Sequence, residues 1–265
     1  MKRSLLPPDA PRAASCFRLT QLVRATFLAG LTMAVLPAAH ANTTIDFNAL
    51  APVGLTHNTV FSTQGYDIGS YSNDPGAQPG DATGAIIDGT DAVNSCGFLQ
   101  CPAASTSYAS VINDGYLEIT SSKAGATFGV KSFDASFLGS NAYDYPATPG
   151  FLRVLGVYAD NTSVVEDFNF SAPGNEGFEF GHHITSATFS DAQFIGIALF
   201  AFTCNDTGAC NAFRTGRGQF AIDNLELTTL AVPEPSSWLM MGAGLLGVAG
   251  AVRRRRAAAA APAAA

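Results

Sequence analysis

Charge is scarce in this 265-residue chain, and positive charge is nearly missing from its middle. Only 13% of residues are Asp, Glu, Lys or Arg, and between Asn42 and Val232 just five are basic: Lys123, Lys131, Arg153, Arg214 and Arg217. The same stretch holds 19 of the 21 acids, which gives it a formal charge of −14. A body that acidic repels nucleic acid and anionic lipid headgroups at long range, so no nucleic-acid partner is expected. Neutral polysaccharide, cations and basic protein are left as partners. The catalytic signatures are missing too. There is no Gly-x-Ser-x-Gly, no His-Glu-x-x-His and no phosphate-binding loop, which removes the common hydrolase, metalloprotease and nucleotide-binding readings. No Cys-x-x-Cys occurs, which argues against a zinc or redox centre. His182 and His183 form the one histidine cluster, but neighbours on a strand point to opposite faces and do not chelate one ion together. Glu176 with Glu179, and Glu166 with Asp167, are close carboxylates expected by chance among 19 acids. Glycosidase chemistry needs a fixed separation that sequence spacing does not supply.

What is present begins with a leader. A basic lead ending at Arg24 is followed by an apolar run over 25–36, then Pro37 and the small-residue site Ala39-His40-Ala41. That order is the pattern of a secretory signal peptide over residues 1–41, read by the secretion machinery and cut by signal peptidase after Ala41. The cut discards Cys16 and leaves four cysteines in a chain bound for an oxidising compartment. Of the three pairings, the two short-range ones, Cys96 with Cys101 and Cys204 with Cys210, are expected. Each pins a loop by about 2 to 3 kcal/mol, so the cysteines concern stability rather than catalysis.

The other end carries the most specific pattern. Val232-Pro233-Glu234-Pro235 precedes fifteen uncharged residues, 238–252, and then Arg253, Arg254, Arg255 and Arg256. As a helix, that apolar segment rises about 22 Å against roughly 30 Å of hydrocarbon, a marginal transmembrane span. The arginines would stop it on the cytoplasmic side, with Trp238 at the outer interface and the acidic body outside. The two prolines fix their own φ angles and hold Glu234 extended, so the stretch is a stiff peptide that an enzyme can read. Pro-Glu-Pro, a short apolar helix and an arginine cluster, in that order over 232–256, resemble the PEP-CTERM sorting signal. The resemblance implies recognition and cleavage by an exosortase, an inner-membrane anchored intermediate, and delivery to a cell surface or extracellular matrix rich in exopolysaccharide. The Ala-rich tail 257–265 is longer than that signal usually carries.

Between the two signals, residues 42–231 read as all-β. Strand-like runs recur at 43–47, 108–112, 116–120, 126–133, 151–158, 163–170, 183–189, 194–202 and 219–228, separated by turn-forming clusters. Residues 159–162 make a hairpin turn. The segment 194–202 is apolar on both faces, which predicts a central strand sandwiched in the core. The Gly-, Pro- and Asp-rich stretch 69–100 is expected to be a long surface excursion. Nine short strands in this length predict a two-sheet β-sandwich, with a jelly roll as the expected topology.

The first and last strands, 44–48 and 220–227, resemble those of galactose-binding-like and related lectin-type jelly rolls. The resemblance implies that the two strands lie side by side, with Asp46 near Asp223 and a structural calcium between them. The residues themselves show that apolar positions 220 and 222 have one parity while 225 and 227 have the other. A bulge at Asp223-Asn224 would bring both sets to the core. Such a bend suits either a hard cation or a carboxylate that bonds to neighbouring amides. Two functions follow. One is a non-catalytic surface or matrix component that binds carbohydrate, with Tyr66, Tyr71, Tyr143 and Tyr145 as aromatics that stack on sugar rings. The alternative is a secreted hydrolase of extracellular polysaccharide, which would need two carboxylates across a cleft.

Overall fold

The computed structural model describes residues 40–97, 99–140, 142–175, 177–230 and 235–259. All but the last two residues of the expected leader lie outside these, as do Glu176, residues 260–265, and Val232, Pro233 and Glu234 of the sorting motif. The chain divides into a body, His40–Val232, and a second unit formed by the two termini.

The body is an all-β, two-sheet sandwich, and every strand pairing is antiparallel. In chain order the strands are β1 (His40–Ile45), β2 (Val53–Thr56), β3 (Thr59–Thr63), β4 (Tyr66–Tyr71), β5 (Ala82–Asp88), β6 (Ser107–Val111), β7 (Tyr116–Ser121), β8 (Gly129–Phe137), β9 (Gly150–Val157), β10 (Ser163–Asn169), β11 (Gly181–Ile184), β12 (Gly196–Cys204), β13 (Cys210–Asn211) and β14 (Phe220–Leu230). The first sheet runs β11-β8-β14-β6-β5-β2, with β1 added on β14. The second runs β10-β9-β12-β7-β4-β3, with β13 added on β12. Short helices α1 (Ala92–Ser95) and α2 (Ala187–Ser190) sit in the connections.

Period-two patterning builds the core. From the second sheet, Leu117, Ile119, Leu152, Val154, Ile197, Leu199 and Ala201 point inward; from the first, Phe133, Phe137, Phe220, Ile222, Leu225 and Leu227 meet them, all buried. Each such Leu, Ile or Phe contributes roughly 1.5 to 3 kcal/mol on burial. The parity break in the last strand is a bulge. Register with β8 shifts after Asp223 and resumes at Glu226, and Asn224 takes a left-handed φ of 48°, a conformation Asn tolerates well. The neighbour changes at the same bend: Phe220 to Ile222 pair with β6, whereas Leu225 to Leu230 pair with β1. The first and last strands therefore do lie side by side.

Three expectations need correction. The stretch 69–100 is no structureless excursion, because it contains the end of β4, all of β5, a 3-10 turn at Gly89–Asp91 and α1. The segment 183–189 is split: β11 ends at Ile184 and Phe189 belongs to α2. Only one face of 196–204 enters the core; Phe200 and Phe202 face outward and stay half-buried. The hairpin at 159–162 stands, with Asn161 at φ 64°.

The two outer faces differ in cover. The loop between β5 and β6, pinned by Cys96–Cys101, lies over the first sheet and encloses a second small core of Ile87, Tyr108, Leu138 and Ala221. Within it the Tyr108 hydroxyl donates to the Pro102 carbonyl at 2.9 Å, and burial pushes its pKa well above the ordinary phenol value. On the second sheet the outward side chains Phe151, Phe200, Phe202, Tyr116 and Tyr71 are only half-buried.

In the other unit, α3 (Pro235–Ala259) contains the expected 238–252 segment and runs on through the arginines. Leu245, Leu246 and Val248 on it are exposed. Among the described residues, however, no helix is long and apolar enough to cross a membrane.

Candidate binding face and adjoining cleft

Strand register puts one polar pair and three aromatic rings in a single line across the outer face of the second sheet. Asp167 on β10 is opposite Arg153 on β9, Arg153 is opposite Phe200 on β12, Phe200 is opposite Tyr116 on β7, and Tyr116 is opposite Tyr71 on β4. Phe151 and Phe202 form the next row and stack at 4.4 Å with an interplanar angle of 14°. Tyr71 and Tyr116 stack at 5.4 Å. Phe213, from the loop after β13, packs on Phe200 at 5.0 Å and edge-on to Tyr116 at 6.4 Å. The Tyr71 ring lies over Gly69, where a Cβ would stand 2.4 Å from it; only glycine leaves the ring that seat.

Arg153 anchors one end of the line. Its Nε and Nη2 donate to the two Asp167 oxygens at 2.7 Å each, and its guanidinium sits 4.6 Å from the Phe202 ring centre. Hydrogen bonding to Asp167 raises the Arg153 pKa, so the pair is charged and self-neutralising. At the other end, burial followed by the Glu118 charge raises the pKa values of Tyr71 and Tyr116, so both phenols stay protonated at neutral pH. The face is aromatic, and beyond the self-neutralising Arg153–Asp167 pair its charged residues include the acids Glu118 and Asp67. Ring faces and edges of this kind stack on the C–H faces of neutral rings and offer little to an anion.

One loop links this face to a cleft. Asn113 and Asp114 both have φ near 55° and close the turn from β6 to β7, with Gly115 donating to the Ile112 carbonyl. The nearly buried Asp114 carboxylate accepts from the backbone N–H groups of Thr215 at 3.0 Å, Gly216 at 2.8 Å and Gly218 at 2.6 Å. This fixes the loop that carries Phe213 on one side and Arg217 on the other. The Arg217 guanidinium stacks 4.0 Å from the Tyr143 ring centre. Two cavities of about 300 and 270 Å³ share Tyr143, Tyr145, Thr215 and Arg217. Asp144 and Asp206 line the second.

The tyrosines expected as sugar platforms separate into different roles. Tyr66 is 4% exposed and packs in the core against Phe128, so that expectation is corrected. Tyr145 is half-buried against Phe137 and Phe178, and its hydroxyl accepts from the Ser140 N–H at 2.7 Å. Tyr143 is 47% exposed in the cleft, and Tyr71 belongs to the aromatic line.

Asp223 is 2% exposed and sits at the bend. Its Oδ2 accepts from the Thr106 hydroxyl at 2.9 Å and its Oδ1 from the Asn224 N–H at 2.8 Å. Burial pushes its pKa up to about 6, and the charges of Asp134 and Asp46 add to the rise. Asp134 in turn accepts from Asn224 Nδ2 and stands 2.7 Å from His182 Nδ1. Asp46 accepts from the Asn48 N–H. A calcium ion takes six to eight oxygens. Among the described residues, no group of three or more His, Cys, Asp or Glu is placed to hold a metal. The contacts at the bend are hydrogen bonds that join Asp223 to Thr106 and Asn224, and Asn224 to Asp134.

The histidines diverge as their adjacency requires. His183 lies between Phe133 and Phe168, where burial lowers its pKa, while His182 faces Asp134. Glu166 accepts from the Ser186 N–H and hydroxyl, and Asp167 is held by Arg153. The two local disulfides, Cys96–Cys101 and Cys204–Cys210, are both formed.

Fold and face together define an all-β sandwich whose second sheet presents an aromatic surface. The family described as the PEP-CTERM protein-sorting motif matches residues 231–256. The chain therefore carries that sorting motif at its C-terminal side. No curated protein matches the chain. Among solved structures, a mutant family 29 carbohydrate-binding module is 11% identical with a TM-score of 0.32, covering 66% of this chain and 90% of its own. The enzymatically active domain of a tailspike protein 4 from bacteriophage CBA120 is 12% identical with a TM-score of 0.23, covering 71% of this chain and 19% of its own. Similarity this low carries no argument about binding or catalysis.

Proposed function

We propose that the protein is an exported, non-catalytic component of the cell surface or extracellular matrix that binds neutral polysaccharide on the outer face of its second sheet. In this reading signal peptidase releases the leader after Ala41. An exosortase then acts at Val232 to Pro235 while α3 holds the chain at the inner membrane with Arg253 to Arg256 inside. The fifteen uncharged residues are a short anchor, and local thinning of the bilayer supplies what their length lacks. The body is a sandwich of jelly-roll type. Calcium at Asp46 and Asp223 is not required by this reading.

The observation that supports binding is the continuous aromatic line from Arg153 through Phe200 and Tyr116 to Tyr71. Stacked, half-buried rings on an open sheet cost apolar exposure that a purely structural face would avoid. A formal charge of −14 between Asn42 and Val232 directs the face to neutral rather than anionic polymers. Affinity electrophoresis against a panel of soluble neutral polysaccharides tests it. Retardation on at least one polymer is expected. Phe200→Ala or Tyr116→Ala should weaken it about tenfold, or about 1.4 kcal/mol. Equal retardation of wild type and both variants, or none of the wild type on any polymer, would overturn the proposal.

The hydrolase alternative rests on one observation, that Asp144 and Asp206 line the same cavity. Reducing-sugar release from a retained polymer, lost in Asp206→Asn, would favour it.

A further inference from the structure

We infer that the cleft shared by Arg217 and Tyr143 is a second binding site, independent of the aromatic face, for a carboxylate-bearing sugar such as a single hexuronate unit of an otherwise neutral chain. Charge is the first reason. Among the described residues the ion pairs are Lys131–Glu226, Arg153–Asp167 and His182–Asp134, and Arg217 belongs to none of them. Lys123 and Arg214 are also outside these pairs, but of the three only Arg217 lines a cavity. Its planar fork matches a carboxylate bidentately, while stacking on Tyr143 leaves its edge free for that contact.

Asymmetry of the cleft is the second reason. In the cavity of about 300 Å³, Arg217 is the one charged residue, above an apolar floor of Phe137 and Leu138 and beside Ser140, Tyr145 and Gln219. The adjoining cavity holds Asp144 and Asp206. Arg217 lines both, so a ligand spanning them places an anionic group at Arg217 and hydrogen-bond donors toward the two aspartates of the second. A hexuronate does this: its carboxylate meets Arg217, its ring lies by Tyr143 and Tyr145, and the hydroxyls of its neighbour donate to the two aspartates. Tyr145 accepts from Ser140 and retains its own O–H to donate. The net charge of the body disfavours a polyanion but not an isolated carboxylate, since screening acts over about 8 Å at physiological salt. The third reason is preorganisation: the three backbone N–H hydrogen bonds to the Asp114 carboxylate fix the Arg217 loop before any ligand arrives.

Calorimetric titration of the full-length protein in mild detergent with sodium glucuronate, glucose and sodium sulfate tests the site. Saturable glucuronate binding is expected, with glucose and sulfate each at least tenfold weaker. Arg217→Gln should lower glucuronate affinity at least tenfold. Lys123→Gln, the same charge change at an exposed cation outside the cleft, should leave it unchanged. Near-UV circular dichroism checks that each variant is folded. Glucose binding as tightly as glucuronate, or Arg217→Gln binding like wild type, overturns the inference. Sulfate binding as tightly as glucuronate also overturns it, by showing a bare oxyanion pocket. Retardation on neutral polysaccharide reads the aromatic face and not this cleft, so either proposal can fail alone.

Discussion

Replacing Asp114 by Ala should be the most damaging single change outside the apolar core. Its carboxylate takes three backbone N–H groups from residues 101 to 104 positions further along the chain. The bond to Gly218 is buried, and a buried donor left without a partner costs about 1 to 3 kcal/mol. The other two are partly open to water and lose about 0.5 to 1 kcal/mol each. Position 114 also has a left-handed φ of 55°, which costs Ala about 1 kcal/mol more than it costs Asp. Together these give about 4 kcal/mol, or roughly 8 to 16 °C in Tm for a domain of this size. Asp114→Asn tolerates the backbone and keeps one acceptor oxygen, so it should lose about half as much. Thermal melts of the full-length protein in mild detergent, followed by circular dichroism, measure both. An Asp114→Ala variant melting within about 2 °C of wild type would refute the account of the loop.

Asp223 provides a pH test. Its folded pKa of about 6 lies above the ordinary 3.8, so between those values the folded state holds the extra proton. Its contribution to stability is full below about 4 and is lost as pH rises through 6, a change of about 3 kcal/mol. The Tm difference between Asp223→Asn and wild type should therefore move in the variant's favour by several degrees from pH 4 to pH 7, and an unchanged difference would contradict the burial argument. Adding calcium or a chelator should leave Tm unchanged; a rise with calcium would restore an ion at Asp46 and Asp223. Each disulfide closes a very short loop, so Cys204→Ser with Cys210→Ser should cost about 2 kcal/mol in a denaturant melt. Mass spectrometry of the native protein should find an N-terminus at Asn42 and a C-terminus near Pro235. An intact tail to Ala265 in a strain with the sorting enzyme would count against processing.

Strongly alternating segments such as 151–158 and 219–228 were legible in the sequence because their inward residues are large and apolar. The bulge was legible too, since Phe220, Ile222, Leu225 and Leu227 cannot all reach one core without it. The strands β2 to β5 were hidden by small and polar residues. The two-residue turn Gln64-Gly65 between β3 and β4, both with positive φ, lacks the usual Asn-Gly signature. The aromatic line was hidden for a different reason. Phe200 and Phe202 look like core residues in any local window, and only register with residues 71, 116 and 153 shows that they belong to an outer surface. Asp114 was invisible because nothing near it in sequence marks partners a hundred residues away.

The last strand of the body is also its keystone. β14 lies between β8 on one edge and β6, then β1, on the other, and among the described residues β1 pairs only with β14. Until residues 220–230 arrive, the first sheet lies in separated pieces. In a chain threaded outward from its N-terminus, this sandwich would close late, after nearly the whole body has crossed. If the chain is exported as proposed, such an order would keep the polypeptide loose during transit and delay compaction until the last strand has crossed.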